Sequence, residues 1–312
     1  MTDDTVSMPD NGEAYEDLRP LMFSIAYRML GSVSDAEDVV QEAFLRLRRV
    51  SLEGTVVESS RAFLTTVTTR LAIDHLRSAR VRRETYVGPW LPEPLLTSTE
   101  PDPGELAEMS DSLSLSFLVL LENLSPAERA VFLLREVFGY GYDEIAEIIE
   151  KSEANCRQIF VRARKRIDEG RPRFRASHQQ REELAGRFFD AVDKGELDGL
   201  VELLAEDVVF YGDGGGKARG LPQPVHGREK VNPLLLSFFS QYHEYNASMR
   251  RENVNGQPGV LFFDARGHLV NVFALDISGG VIQAVRSIIN PDKLEHLGYP
   301  ISDFGRIERG PR

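Results

Sequence analysis

The chain has 312 residues, of which 42% are hydrophobic and 28% are charged, and its formal net charge is −12. This composition is typical of a soluble globular protein with about two or three domains, and the sequence shows neither a long apolar run nor a signal peptide. It therefore excludes a membrane-spanning protein and predicts a cytoplasmic one, and the single cysteine, Cys156, excludes an internal disulfide and a cysteine-cluster zinc site.

Three amphipathic helices are predicted after a disordered start over residues 1–14. They cover residues 15–30, 35 to about 49 and 60 to about 79, and Ser34 with Glu37 is expected to form a capping box at the second. The second helix would bury Ala36, Val40, Ala43, Phe44 and Leu47. Its outer face carries Asp38, Gln41, Glu42 and Leu45, and it is either a solvated surface or a docking face for a basic partner.

The third predicted helix ends in an arginine-rich segment. Between residues 70 and 83 there are five arginines against one acid, Asp74; the arginines are Arg70, Arg77, Arg80, Arg82 and Arg83. Such a cluster predicts a contact with nucleic acid.

A stretch rich in proline and acids follows, over residues 88–112, and its composition predicts a linker. It contains WLPEP, whose members are Trp90, Leu91, Pro92, Glu93 and Pro94. Because Trp90 is the only tryptophan of the chain and an exposed tryptophan is unusual, we expect it to dock against another domain, with purely local packing as the alternative.

Residues 141–166 read as two short helices joined by a tight turn, the pattern of a helix-turn-helix DNA reader. Gly141 is the expected N-cap, Glu150 and Lys151 the turn, and Ser152 the cap of the second helix. The first helix would bury Ile145, Ala146 and Ile149, and the second Cys156, Ile159, Phe160, Ala163 and Ile167. The outer face of the second helix carries Ala154, Asn155, Arg157, Gln158, Val161, Arg162 and Lys165. Those side chains suit base edges and phosphates, although a solvated basic surface would have the same pattern.

The remaining residues predict an α+β domain with helices first and an antiparallel sheet after them. Two short motifs stand out: DGGGK, formed by Asp213, Gly214, Gly215, Gly216 and Lys217, and NPDKL, formed by Asn290, Pro291, Asp292, Lys293 and Leu294. DGGGK is either a loop that contacts other domains or a phosphate cradle. NPDKL is either a simple helix start, with Asn290 as N-cap, or a latch near Trp90.

Two parts of the chain resemble regions of a bacterial sigma factor of the extracytoplasmic-function class. DAEDVVQEAFLRL with RAFLTTVTTRLAIDHLRSARVRRE resembles region 2, and SPAERAVFLLREVFGYGYDEIAEIIEKSEANCRQIFVRARKRI resembles region 4. The resemblance implies that Asp35, Asp38, Gln41, Glu42 and Leu45 bind RNA polymerase core at its β′ clamp, with a further contact at the β flap. It implies −10 DNA contacts by Phe63, Arg77, Arg80, Arg82 and Arg83, and −35 contacts by the outer face of the second helix listed above. Two positions depart from the family: Phe63 replaces a usual tryptophan, and Glu150 replaces a usual glycine.

The C-terminal part is similar to the SnoaL-like domain, a cone-shaped curved sheet wrapped on helices. WLPEP, DGGGK and NPDKL resemble motifs of the sigma factors in which this domain is fused in place of a separate anti-sigma protein. The expected organisation is region 2 over residues 15–87, the linker over 88–112, region 4 over 113–175, the SnoaL-like domain over 179–297 and a tail over 298–312.

We therefore expect a multidomain sigma factor that is controlled by its own C-terminal domain and is not an enzyme, with RNA polymerase core and promoter DNA as partners and no metal or cofactor. One alternative is a bifunctional protein whose C-terminal domain binds or turns over a small molecule, for which Asp276, His243 and Arg286 are the candidate acid–base residues. A plain DNA-binding repressor is disfavoured, because a repressor has no use for the acidic docking face.

Overall fold

A computed structural model of the chain describes residues 11–97, 111–170, 177–196, 199–244 and 246–307. The chain folds into two compact units. The helical unit combines Met1–Arg80 with Leu124–Arg166, and the C-terminal unit combines Val81–Asn123 with Ile167–Arg312. The linker therefore belongs to the same unit as the C-terminal domain.

The helical unit begins with three long helices, α1 (Asn11–Leu30), α2 (Val33–Leu52) and α3 (Ser60–Glu84). The predicted capping box of Ser34 and Glu37 is wrong, because α2 starts two residues earlier than expected: Ser32 is the N-cap and accepts the amide of Asp35 at 3.1 Å. Glu37 instead forms an ion pair with Arg19. The buried residues of α2 are Ala36, Val39, Val40, Ala43 and Leu47, whereas the predicted Phe44 is only half-buried.

The second half of the helical unit contains α5 (Pro126–Phe132), a π-helical turn (Leu133–Val137), α6 (Tyr142–Ile149) and α7 (Glu153–Gly170), which runs on into the C-terminal unit. Gly141 is the N-cap of α6 as predicted, and its amide donates to Glu144 at 2.7 Å. The helix buries Ile145 and Ile148, not Ala146 and Ile149. The predicted stripe of α7 is buried throughout. Helices α6 and α7 thus form a helix-turn-helix.

Buried contacts join the first three helices to this second half. The Arg129 side chain is 3% exposed, and its Nη1 donates to the carbonyl oxygen of Met29 at 2.6 Å. The Thr65 and Tyr140 hydroxyls lie 3.0 Å apart. These contacts pack the two helical regions against each other.

The C-terminal unit contains helices α4 (Leu115–Leu121), α8 (His178–Lys194), α9 (Leu200–Leu203) and α10 (Arg228–Glu244). Its strands are β1 (Leu96–Thr97), β2 (Leu204–Asp213), β3 (Val225–His226), β4 (Ser248–Val254), β5 (Gln257–Phe263), β6 (Leu269–Ser278) and β7 (Val281–Ile288).

The seven strands form one sheet in the order β1-β4-β5-β6-β7-β2-β3. The expected fully antiparallel sheet is corrected at one pair, since β2 lies parallel to β7. Bulges interrupt the β2–β7, β5–β6 and β6–β7 pairings, and bulges bend strands, so the sheet is curved.

The two faces of the sheet are covered by different parts of the chain. Helices α8, α9 and α10 pack on the inner face. The outer face is covered by residues of the linker, of α4 and of the C-terminal motif, represented by Leu91, Leu115 and Leu294. None of the helices that the structure describes is both long and apolar enough to cross a lipid bilayer.

Candidate nucleic-acid interface and linker clamp

The outer face of α7 is exposed along its whole length. All seven residues expected to contact DNA there are exposed: Ala154, Asn155, Arg157, Gln158, Val161, Arg162 and Lys165. The opposite stripe is buried, so the helix presents one polar, basic face that also carries the apolar side chain of Val161, which is 65% exposed. That arrangement fits a helix that enters the major groove.

Arg157 is held by contacts inside the helix-turn-helix. Arg157 donates to Glu153 at 3.0 Å and its guanidinium lies 4.5 Å from the centroid of the Tyr142 ring. Arg157 is therefore oriented before any DNA is present.

The expected −10 residues lie on α3. Phe63 is half-buried, and Arg77 is exposed and paired with Asp74 at 2.9 Å. The side chains of Arg80, Arg82 and Arg83 lie outside the described residues.

The acidic face of α2 is open to solvent. Asp38 and Gln41 are exposed, Leu45 is 54% exposed, and Glu42 is partly exposed and held by Arg46 at 2.7 Å. Asp35 lies 3.3 Å from the His75 ring. The five residues expected to bind polymerase thus run along the exposed part of α2.

Asp213 is the centre of a polar cluster that holds the linker. Its side chain is fully buried and accepts the Leu91 amide at 2.8 Å, the Lys293 ammonium at 2.7 Å and the Tyr86 hydroxyl. Asn290 Nδ2 donates to the Tyr86 hydroxyl oxygen at 2.9 Å. We call Tyr86, Leu91, Asp213, Asn290 and Lys293 the linker clamp.

The Lys293 ammonium is enclosed by linker groups. It donates to the carbonyl oxygen of Leu91 and lies 4.8 Å and 4.5 Å from the ring centroids of Tyr86 and Trp90. Burial and the Asp213 carboxylate raise the pKa of Tyr86 far above its usual range. The phenol therefore stays protonated and keeps donating to Asp213. Trp90 is half-buried beside this cation.

The glycines of DGGGK allow the backbone to approach the clamp closely. A Cβ on Gly215, whose φ is +58°, would lie 2.3 Å from Asn290 Nδ2 and 2.9 Å from the Tyr86 hydroxyl. A side chain at this position would push the clamp apart. Lys217, the last residue of the motif, forms an exposed ion pair with Asp292.

A second set of contacts anchors the rest of the linker. Strand β1 pairs with β4, and Asn255 accepts the Leu95 amide at 2.9 Å while donating to the Leu113 carbonyl at 3.0 Å. The His296 ring lies 2.7 Å from the carbonyl oxygen of Pro94. The described linker residues 86–97, together with Leu113 just before α4, are therefore held by the C-terminal unit.

Sequence reasoning missed three of these residues, Tyr86, Asn255 and His296. Tyr86 lies just before the predicted linker, where only its aromatic ring beside a proline-rich stretch would have marked it. Asn255 is in a left-handed conformation with φ 55°, and an asparagine followed by glycine is a recognisable signal of a tight turn.

The interior of the C-terminal unit is filled by aromatic rings. Phe238 stacks on Phe273 with centroids 5.1 Å apart, and Phe262 contacts both at 5.3 and 5.0 Å. A cavity of about 40 Å³ lies beside Phe238, Phe262 and Tyr242. This volume suits a few water molecules, because ligand pockets are much larger.

Two of the three candidate acid–base residues neutralise each other. Arg286 is 5% exposed, and its Nη2 lies 2.7 Å from Asp276 Oδ2. The guanidinium also lies 4.5 Å from the centroid of the Tyr211 ring. The side chain of His243 lies outside the described residues. The ion pair favours a structural role for Asp276 and Arg286.

Three family models match the chain in succession. Residues 14–82 match Sigma-70 region 2, residues 114–167 match Sigma-70 region 4 and residues 185–289 match a SnoaL-like domain. The region 4 match includes α4, whose Leu115 is buried in the outer-face cluster of the C-terminal unit.

Two relatives match over nearly their whole length. The chain is 37% identical to the ECF RNA polymerase sigma factor SigJ of Mycobacterium tuberculosis, over 93% of this chain and 94% of that protein. It is 35% identical to the probable ECF RNA polymerase sigma factor SigI of the same species, over 89% of this chain and 93% of that protein. The crystal structure of Mycobacterium tuberculosis SigJ matches with a TM-score of 0.73 at 34% identity, covering 93% of this chain and 100% of that chain.

Proposed function

The chain belongs to the extracytoplasmic-function (ECF) RNA polymerase sigma factors, and from this premise we propose that its own C-terminal domain controls it through the linker clamp. As a sigma factor it binds RNA polymerase core and directs promoter-specific initiation. The form with the clamped linker is the less active one.

The observation that carries the proposal is the burial of the linker in the C-terminal unit. The linker contributes Leu91 to the outer-face cluster, the Leu91 amide and carbonyl to the clamp, and β1 to the sheet. Helix α4, the first helix of the region 4 match, is buried in the same cluster through Leu115. Regions 2 and 4 must reach the −10 and −35 elements, which lie apart on promoter DNA. While a third domain holds the linker and a region 4 helix, regions 2 and 4 cannot move apart freely.

Release of the linker has a physical cost that polymerase must offset. It would expose apolar residues of the outer sheet face, among them Leu261, Phe263 and Val272, which are at most 9% exposed in the clamped form. It would also leave Asp213 and Lys293 without their linker partners. The clamped form is therefore favoured until binding to polymerase compensates.

A reversible disulfide between the linker and the C-terminal domain tests this proposal. A Cβ built on Gly216 lies 3.2 Å from Val87 Cβ, close to the separation of about 3.5–4.5 Å found in disulfides, so Val87→Cys with Gly216→Cys is expected to cross-link the linker to the DGGGK loop. Cys156 is buried and does not compete. We expect the oxidised protein to initiate transcription in vitro at least about fivefold more slowly than the same protein after reduction. Each single-cysteine variant is the control, and equal rates for the oxidised and reduced protein would refute control through the clamp.

We assign the exposed acidic face of α2 to polymerase core binding. Its carboxylates Asp35, Asp38 and Glu42 match a basic partner, and Leu45 adds an exposed apolar contact to the same face.

Reversing two charges on that face is expected to weaken core binding. Asp38→Lys with Glu42→Lys should raise the dissociation constant for polymerase core by about tenfold, because like charges then face each other across the interface. Titration of labelled sigma variants with core enzyme measures it. Glu53→Lys with Glu58→Lys, outside the proposed face, is the matched control, and equal effects of the two pairs would contradict the assignment.

We further propose that the C-terminal domain is not an enzyme. The support is the aromatic filling of its interior, the small cavity and the Asp276–Arg286 ion pair. The same features weigh against a metabolite sensor. A thermal-shift screen of metabolites checks both points, since a ligand that raises the melting temperature through this domain would favour the bifunctional alternative.

A further inference from the structure

The turn of the helix-turn-helix has a backbone conformation that its residue rarely adopts. Glu150 ends α6 with φ 55° and ψ 53°, in the left-handed region. Helices often end with a residue in this region, and that residue is usually glycine because a Cβ is disfavoured there. An unusual backbone conformation at a glutamate marks its side chain as a candidate for a specific contact.

The Glu150 side chain binds Arg70 of α3. Arg70 Nη1 lies 2.8 Å from Glu150 Oε1, Nε donates to the Ile148 carbonyl at 2.8 Å, and Nη2 donates to the Glu147 carbonyl at 2.9 Å. All three guanidinium nitrogens are therefore used on the turn, where the free carbonyls of a helix C-terminus attract a cation. We call Arg70, Glu150 and these two carbonyls the turn clasp.

Arg70 lies at the centre of the proposed −10 face. Phe63, Arg70 and Arg77 follow one another at intervals of seven residues on α3, and seven residues are close to two full helical turns. The three side chains therefore lie along one stripe. Its two ends, Phe63 and Arg77, are two of the expected −10 residues and define the −10 face, so this step rests on the proposed promoter recognition; its middle is held by the turn.

We propose that Arg70 is a further DNA-contacting residue of this face and that the helix-turn-helix turn competes with the promoter strand for it. Carboxylate and carbonyl oxygens of the turn occupy the donors that phosphate oxygens of a single strand would take. Arg70 therefore cannot bind the turn and the −10 strand at the same time. Region 4 then acts as an internal competitor, and it must move away from Arg70 before region 2 binds the promoter strand.

The closed state is tested first, without DNA or polymerase. Dyes on Leu52→Cys and Val161→Cys, positions that are 79% and 65% exposed, report the separation of the two helical regions by single-molecule energy transfer. Arg70→Met is expected to raise the fraction of separated molecules by about tenfold, and Glu150→Gln by about threefold since the carbonyl bonds remain. Glu147→Gln is the matched control, because it removes a neighbouring charge while only its carbonyl takes part in the clasp. An unchanged fraction for Arg70→Met would overturn the clasp, and circular dichroism verifies that each variant is folded.

Binding of a single strand tests the second role of Arg70. The probe is a fluorescein-labelled thymidine oligonucleotide of about 15 nucleotides, and the readout is anisotropy with the full chain. We expect Glu150→Gln to bind about threefold more tightly than the parent protein and Arg70→Met about fivefold more weakly. Tighter binding by Arg70→Met would overturn the DNA role and leave Arg70 as a clasp residue alone. Phe63→Ala and Arg77→Met test the −10 face itself: if they bind like the parent protein, the proposed function of that face fails, whatever the energy-transfer result.

Discussion

Replacing Asp213 by asparagine is expected to lower the free energy of unfolding of the C-terminal unit by about 3–5 kcal/mol. Asp213 is fully buried and the Lys293 side chain is 8% exposed, so the variant leaves an ammonium in the interior without its carboxylate. The carbonyl of Leu91 and the rings of Tyr86 and Trp90 stabilise that cation only in part. Breaking a buried pair by removing one partner has a large cost for this reason.

The fluorescence of Trp90 provides the measurement. Trp90 is the only tryptophan of the chain, and its ring centroid lies 4.5 Å from the Lys293 ammonium. Its emission during urea denaturation therefore reports release of the linker together with unfolding. The urea concentration at the midpoint of unfolding is expected to fall strongly for Asp213→Asn. The slope of the unfolding free energy against urea concentration should stay unchanged if the native state stays compact.

Two further variants distinguish the effect of breaking the buried ion pair from the effect of removing any charge. Asp292→Asn breaks the Lys217–Asp292 pair, which joins the same two motifs but is exposed at 44% and 52%, and should change stability by less than about 1 kcal/mol. Lys293→Met in the Asp213→Asn background removes the buried ammonium that has lost its carboxylate, and it should recover part of the lost free energy of unfolding. If Asp213→Asn and Asp292→Asn had equal effects, the ion pair would not be what holds the clamp.

Local patterns predicted the helices well, because helical periodicity is a property of neighbouring residues. The buried stripe of α7 lies where the spacing placed it, and α8 buries Leu184, Ala185, Phe188, Phe189 and Val192 at the same helical spacing. The start of α2 was misplaced because Ser32 and Ser34 are both good caps, and only the structure decides between them. The DNA-contacting and polymerase-contacting roles of exposed residues stay predictions.

Contacts between distant segments could not be predicted from spacing. The Lys293–Asp213 and Asn290–Tyr86 contacts join residues 80 and 204 positions apart, and β1 has only two residues, too few for a strand pattern. Resemblance to a family marked WLPEP, DGGGK and NPDKL as motifs. They are joined by a buried ion pair that lies beside two aromatic rings, and this ion pair forms only when the sheet is folded.

Replacing Arg162 by alanine is expected to cost about 1–3 kcal/mol at one base position of the −35 element, a loss of up to about 100-fold in affinity for the preferred base. Gln158, Val161, Arg162 and Lys165 lie at i, i+3, i+4 and i+7 on α7, so they form one exposed face that can lie along the groove. A guanidinium in this position can donate two hydrogen bonds to one guanine. Loss of the side chain should therefore remove preference at a single position and leave the others intact.

Lys165→Ala provides the contrast, because an ammonium near the end of the face is suited to a phosphate. That variant should weaken binding of all sequences equally and lower the salt slope of the affinity by about 1. Selection of bound fragments from a library randomised over the −35 element, with holoenzyme assembled from each variant, measures the base preference. Affinity at several salt concentrations measures the slope. A uniform loss for Arg162→Ala with unchanged base preference would reassign Arg162 to the DNA backbone and move base reading to Gln158 or its neighbours on the same face.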